Sequence, residues 1–116
     1  MLTVYGLKTC DTCRKARKWL AGSDTTHIWL DVRSDGIRAE DLSKAINWLG
    51  WEKVLNKSST TWRQLEDKDK EALDADKATA LILSNPALMK RPLFLFDNAV
   101  VLGFNAASIS ALEKLL

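Results

Sequence analysis

Two cysteines, Cys10 and Cys13, stand three positions apart where a short apolar run gives way to a helical pattern. That junction limits the fold more than any other stretch of the chain. Leu2 to Tyr5 is apolar and partly β-branched, and Gly6 follows it, which predicts a buried first strand. Cys13, Ala16, Trp19 and Leu20 then recur at the i, i+3, i+4 spacing of one buried helix face. Asp11 or Thr12 is the expected cap of this helix, and Gly22-Ser23 its stop. His27 to Val32 reads as a second strand. Strand, helix and strand over this length predict a parallel pair joined by a right-handed crossover.

Further along, Asp35-Gly36 makes a turn, and Glu40 to Leu49 is helical with Leu42, Ala45, Ile46 and Leu49 on one face. A polar loop covers Asn56 to Thr60. Thr61-Trp62-Arg63-Gln64 has the capping-box form, a hydroxyl followed three residues later by an amide. Glu66 to Asp76 is charged and reads as surface helix or turn. Asp76 is the expected cap of a helix over Lys77 to Leu83, and Asn85-Pro86 starts a further short turn. Arg91-Pro92 breaks the helical pattern. Leu93 to Phe96 and Ala99 to Leu102 predict a hairpin around Asp97-Asn98. Asn105 caps the last helix, with Ile109, Leu112 and Leu116 inward. The order predicts an α/β fold with a mixed four-stranded sheet and helices on both faces. That is the thioredoxin/glutaredoxin-like arrangement, with a helical insertion over approximately 37–90 in a single domain, 1–116.

At 116 residues the chain suits one core, and 47% apolar with 28% charged residues argues against disorder. Its five tryptophans are expected in that core. A net charge of +2 is too small to imply direct nucleic-acid binding, and Arg14, Lys15, Arg17 and Lys18 read as a solvated helix face. No apolar run approaches the roughly 18 residues of a membrane span, and the first residues lack the basic region of a signal peptide. The expected location is the cytoplasm, where structural disulfides are rare.

Two cysteines at this spacing in such a chain point to redox or metal chemistry. A cysteine at a strand-to-helix junction faces unpaired N–H groups and the positive end of the helix dipole. Both favour thiolate, the reactive form. Lys8 and Arg14 flank the pair. Cys10 is the expected nucleophile, and Cys13, one turn on, the resolving thiol. Zinc normally takes four ligands, whereas the chain offers these two thiols and His27, so no complete metal site is expected. Two inert core cysteines are the bland alternative. His27 opens a strand and reads as structural. Pro92 by itself reads as an ordinary trans proline, although a cis bond there would bring the Leu93 backbone edge near Cys10 to pair with an extended substrate. Arg91, taken alone, is either a solvated residue or an anion-holding fork.

The blocks Val-Tyr-Gly-Leu-Lys-Thr-Cys-Asp-Thr-Cys-Arg-Lys-Ala (4–16), Leu-Asn-Lys-Ser-Ser-Thr-Thr-Trp-Arg-Gln-Leu (55–65), Asn-Pro-Ala-Leu-Met-Lys-Arg-Pro-Leu (85–93) and Val-Leu-Gly-Phe-Asn (101–105) closely resemble the arsenate-reductase-like family. That family includes the ArsC, Spx and YffB proteins, and the YffB branch fits best. The resemblance covers essentially the whole chain. It implies a glutaredoxin-like sheet with an inserted helical subdomain, a cis bond at Pro92, Cys10 as the reactive thiol and Arg91 facing the active site. It also implies glutathione as reductant in the arsenate-reductase and YffB branches. Spx members bind RNA polymerase and use the Cys-x-x-Cys pair as a redox switch.

Several positions depart from the family pattern. Arsenate reductases of this class usually lack a counterpart of Cys13. The family often carries arginine where this chain has Ser58, and true arsenate reductases tend to carry a further arginine near Asn105. Fewer cations weaken an arsenate site. The expected function is a glutathione-dependent thiol–disulfide oxidoreductase. Cys10 and Cys13 are catalytic, and Lys8, Arg14, Arg63, Arg91, Pro92 and Leu93 contact substrate. No bound cofactor is expected. Glutathione or a small thiol or disulfide is the expected partner, with glutaredoxin or thioredoxin as candidate reductants, and the chain is expected to be a monomer. The alternatives are an Spx-like regulator that binds RNA polymerase, and an anion-binding protein with little redox work.

Overall fold

The structure, a computed structural model, describes residues 2–116. β1 (Leu2–Gly6) leads through a short turn into α1 (Asp11–Gly22), which returns to β2 (His27–Asp31). β1 and β2 are parallel, with Leu2 opposite His27 and Gly6 opposite Asp31. Then come α2 (Ala39–Leu49), three single-turn helices, α3 (Trp51–Val54), α4 (Thr60–Arg63) and α5 (Asp67–Lys70), and α6 (Ala75–Ser84). A 3-10 turn (Pro86–Leu88) closes this block. β3 (Leu93–Phe96) and β4 (Ala99–Leu102) form the hairpin around Asp97-Asn98, and α7 (Ala106–Leu115) ends the fold. The sheet order is β2-β1-β3-β4, mixed as expected, with β3 antiparallel to both neighbours.

Alternation along the strands divides the core. Val4, Phe94 and Val101 are in register and share one face. They pack with Ala16, Leu20 and Leu112 of α1 and α7. Tyr5 and Leu93 point the other way, into a cluster with Leu42, Leu55, Ile82, Leu88 and Met89 from the helical block. The Tyr5 hydroxyl donates to Asp41 Oδ2 at 2.5 Å, and Arg38 Nε donates to the same oxygen at 3.0 Å. This knot joins the central strand to α2. Burial and the Asp41 bond push the Tyr5 phenol up from its usual range.

Several local expectations are corrected. Cys10 itself, not Asp11 or Thr12, occupies the cap position of α1. Ser59 caps α4, accepting from Trp62 N at 3.1 Å, so the cap lies two residues before Thr61. Asp74, not Asp76, caps α6 through Lys77 N at 2.8 Å. In each case several adjacent polar residues satisfy the same pattern, and the surrounding packing decides which one turns the chain. Asn105 does cap α7, in a reciprocal box with Ser108. Leu116 is exposed rather than inward, and Ile109 is only half-buried.

None of the five tryptophans is fully buried, contrary to expectation. Trp19, Trp29, Trp51 and Trp62 lie along the edges of the two clusters, and Trp48 is 56% exposed. Cations stack on the border rings: Arg17 on Trp29 at 5.2 Å, and Lys57 on Trp51 and Trp62 at 5.6 and 5.8 Å. A broad ring shields the core margin while its face attracts charge. Trp29 also explains Gly6, since a Cβ there would lie 2.3 Å from its ring.

Candidate active site

β1 ends at Gly6, and the chain turns so that Cys10 N donates to Leu7 O at 3.1 Å and Arg14 N donates to Cys10 O at 3.0 Å. These two bonds fix Cys10 as the residue that opens α1. Its backbone is extended (φ −87°, ψ 122°), and its side chain makes no cap hydrogen bond of ordinary geometry. The first-turn N–H groups therefore act on the sulfur electrostatically. Asp31, itself buried, braces the turn by accepting from the N–H of Lys8 at 3.0 Å, Arg33 at 2.8 Å and Ser34 at 3.2 Å.

The two thiols differ sharply. Cys10 is half-buried and Cys13 is 1% exposed. Partial burial alone would raise the Cys10 pKa. The Cys13 N–H and thiol, the Thr12 N–H and the Arg91 charge outweigh it, so the net shift is downward. Cys13 is pushed up to about 12, chiefly by burial, which together with upward effects from Cys10 outweighs the lowering by the Leu7 N–H and the Arg91 charge.

Cys10 opens into a cleft of about 590 Å³. Arg91 lines it, its Nη1 donating to Ala87 O and Met89 O, both at 3.0 Å. Its Nε is buried with no hydrogen-bond partner among the described residues. Leu49 and Leu102 supply apolar wall, and Lys53, Asn56, Lys90, Gly103 and Asn105 complete it. Sequence reasoning missed Lys53, Asn56 and Lys90 as site residues. Asn56 and Lys90 lie inside the blocks that resemble the family, which is the signal that could have found them, whereas Lys53 lies outside every block and nothing in the sequence marks it. A pairing between Leu55 and Met89 brings their segments together.

The expected substrate contacts fare unevenly. Arg91 faces the cleft. The Arg91–Pro92 bond is cis, as the resemblance implies and contrary to the reading of Pro92 alone. Leu93 offers no free edge: it is fully buried and pairs with Tyr5 on one side and Leu102 on the other. Pro92 is buried, and its carbonyl accepts from Gly103 N at 2.8 Å. The reason is the strand order, which places β3 inside the sheet, where addition of a further strand is blocked. Arg14 is exposed and pairs with Asp11. Arg63 is exposed at the end of α4 and does not line the cleft. Lys8 lines instead a small cavity of about 70 Å³ beside Cys13, with Arg14, Arg17 and Trp29. Ser58 is exposed and does not line the cleft, whereas Asn105 does. His27 opens β2, and its Nδ1 lies 2.9 Å from Thr25 O.

Among the described residues no group of three or more His, Cys, Asp or Glu is placed to hold a metal ion, and no helix is long and apolar enough to cross a membrane.

Comparison with known proteins agrees with this geometry. A protein of Haemophilus influenzae, itself uncharacterized, is 43% identical over 111 residues, covering 96% of this chain and 97% of its own. The global transcriptional regulator Spx of Streptococcus mutans is 28% identical, covering 96% of this chain and 82% of its own. The solved structure of a YffB protein superposes with a TM-score of 0.89 at 35% identity, over 96% of this chain and 97% of that one. The ArsC family model matches residues 5–112, from the end of β1 into α7. A thiol at the opening of α1, sharing one cleft with the Arg91 turn at the end of a thioredoxin-like sheet, thus sits on the framework of the ArsC family, to which this chain belongs.

Proposed function

We propose that this chain is a thiol–disulfide oxidoreductase that uses glutathione, with Cys10 as nucleophile and Cys13 as resolving thiol. The observation that carries the reading is the split between the two thiols: the half-exposed one is more acidic than an ordinary thiol and the buried one less so. Membership in a family with arsenate-reductase-like relatives supports oxidoreductase chemistry.

The Cys10 thiolate attacks one sulfur of a disulfide. A Cys10–substrate disulfide forms, the old S–S bond breaks, and the leaving thiolate takes the electron pair and then a proton from solvent. Bond formation removes the negative charge at Cys10, and with it the upward effect that Cys10 exerts on Cys13. Cys13 then loses its proton more readily and attacks the Cys10 sulfur. The substrate thiolate leaves, and a Cys10–Cys13 disulfide remains. Two glutathione molecules, or glutaredoxin or thioredoxin, reduce it and are oxidised in turn. Arg91 steadies an anionic group of the substrate beside Cys10. We place the protein in the cytoplasm as a monomer without a bound cofactor.

The test is turnover of a glutathione mixed disulfide with glutathione as reductant. Loss of turnover in Cys10→Ser is expected, and an unchanged rate would overturn the reading. The similarity to Spx supports a second reading, a redox-switched regulator that binds RNA polymerase. Recovery of polymerase on the tagged chain only under one redox condition, with no thiol turnover, would favour it.

A further inference from the structure

We infer that the cavity behind Cys13 binds a small inorganic oxyanion, and that the bound charge slows the attack of Cys13 on a Cys10 adduct. The site itself is independent of the thiol-reductase reading, and its effect on Cys13 rests on that reading.

This cavity, of about 70 Å³, shares no lining residue with the Cys10 cleft. Leu7 and Cys13 are its buried members, at 7% and 1% exposure, whereas Lys8, Arg14 and Arg17 are exposed. The approach to the buried thiol is therefore cationic, and no carboxylate lines it. Arg14 is already paired with Asp11, but Lys8 and Arg17 form no ion pair among the described residues. The Asp31 carboxylate feels the Lys8 charge, yet its oxygens are engaged by the N–H groups of Lys8, Arg33 and Ser34.

Trp29 adds an unpaired donor. Its Nε1 is buried and has no hydrogen-bond partner among the described residues. The ring lies against Gly6, where a Cβ would stand 2.3 Å from Cζ2 and 3.0 Å from Cε2, the carbon that carries Nε1. The donor thus sits beside the end of β1, where the chain runs on into Leu7 and Lys8 and the cavity begins. Arg17 lies over the same ring at 5.2 Å, which holds its guanidinium at the cavity wall. A buried N–H without an acceptor is unfavourable, and so is a cluster of uncompensated cations. Water relieves the first and an anion relieves both. A guanidinium fork and an indole N–H suit the oxygens of a compact oxyanion, and Lys8 supplies a point charge. One water needs roughly 10–15 Å³ of such space, so the cavity has room for one tetrahedral oxyanion and none for a peptide.

Negative charge beside Cys13 disfavours its thiolate. In the resolving step Cys13 loses its proton and bonds to the Cys10 sulfur, and the substrate thiolate leaves with the electron pair of the broken bond. An anion in the cavity opposes the first of these events.

The test uses inorganic phosphate on the full chain at constant ionic strength, balanced with sodium chloride. The readout is the NMR signal of the Trp29 indole N–H, identified by its loss in Trp29→Phe. We expect a saturable shift. Lys8→Gln and Arg17→Gln should each weaken the affinity by about 5-fold, the size of one exposed charge pair, and Lys8→Arg should retain it. Lys53→Gln combined with Lys90→Gln, in the other cleft, should leave the shift in place. At saturating phosphate the glutathione adduct of Cys10, followed by intact mass, should live at least about 3-fold longer, the drop in thiolate fraction that one added charge brings across a partly screened gap. Arg17→Gln should remove that delay. Absence of a saturable shift, or an equal shift with chloride alone, would overturn the site. So would loss of the shift in the Lys53 and Lys90 double variant, which would put the phosphate in the Cys10 cleft. An unchanged adduct lifetime with the site filled would overturn the effect on Cys13. Failure of the reductase reading looks different: the indole shift persists, but the Cys10 adduct does not resolve with or without phosphate.

Discussion

The two walls of the Cys10 cleft are built on opposite principles. The α1 wall is local. Cys10, Thr12 and Cys13 lie within four consecutive residues, and the backbone of that turn lowers the nucleophile's pKa. The facing wall is assembled from distant segments, with Lys53 and Asn56 on one strand of the Leu55–Met89 pairing and Lys90 on the other. The first wall favours the thiolate form of Cys10. The second brings cationic side chains to the same cleft. The thiol's acidity comes from helix geometry together with the Arg91 charge, whereas the lysines of the facing wall are placed by the packing of the insertion.

The strongest way to break the comparison is at the local wall. Cys10→Ser should lower thiol-exchange turnover by roughly 10³-fold or more, measured with a glutathione mixed disulfide. Cys13→Ser should instead leave the first adduct intact and let it accumulate, visible by intact mass. The distant wall is broken through its anchor. Leu55→Ala removes a fully buried side chain and should cost about 2–5 kcal/mol, read from the denaturant midpoint. The surviving folded fraction should keep a reactive Cys10.

Arg91 lies between the walls and sharpens the contrast. Its charge lowers the pKa of both thiols, so Arg91→Met should shift the pH profile of Cys10 alkylation toward alkaline values. In the parent chain that rate should rise with pH through a midpoint below an ordinary thiol's and then level off. An unmoved profile in Arg91→Met would show that helix geometry alone sets the Cys10 pKa.

A smaller effect tests the brace behind the motif. Burial alone would raise the Asp31 carboxyl pKa, but the N–H groups of Lys8, Arg33 and Ser34 and the Lys8 charge reverse the shift and lower it. A folded pKa below the unfolded one means stability that is fully present above about pH 3.9 and is lost as pH falls through the folded value. Denaturation measured across the acid range should show this loss in the parent chain, and Asp31→Asn should flatten it. Smallest of all, Arg63→Gln and Arg14→Gln lie outside the cleft and should alter turnover by less than about 2-fold, as isolated exposed charges do.

The sequence alone carried β1, α1 and β2, the hairpin at Asp97-Asn98, and the Asn105 cap. Each is set by neighbours in the chain: a period of two or of 3.6, a turn pair, a capping residue. It also placed Cys10 and Cys13 at the opening of α1, because a strand-to-helix junction is legible within one turn of chain. Tertiary structure decided the rest. It buried Cys13, placed β3 between β1 and β4 so that Leu93 has no free edge, and moved the tryptophans to the core margins. It also gathered Lys53 and Lys90 at one cleft while leaving Arg14 and Arg63 in solvent. Charge, burial and strand order depend on residues far apart in the chain, and no local pattern encodes which of them will meet.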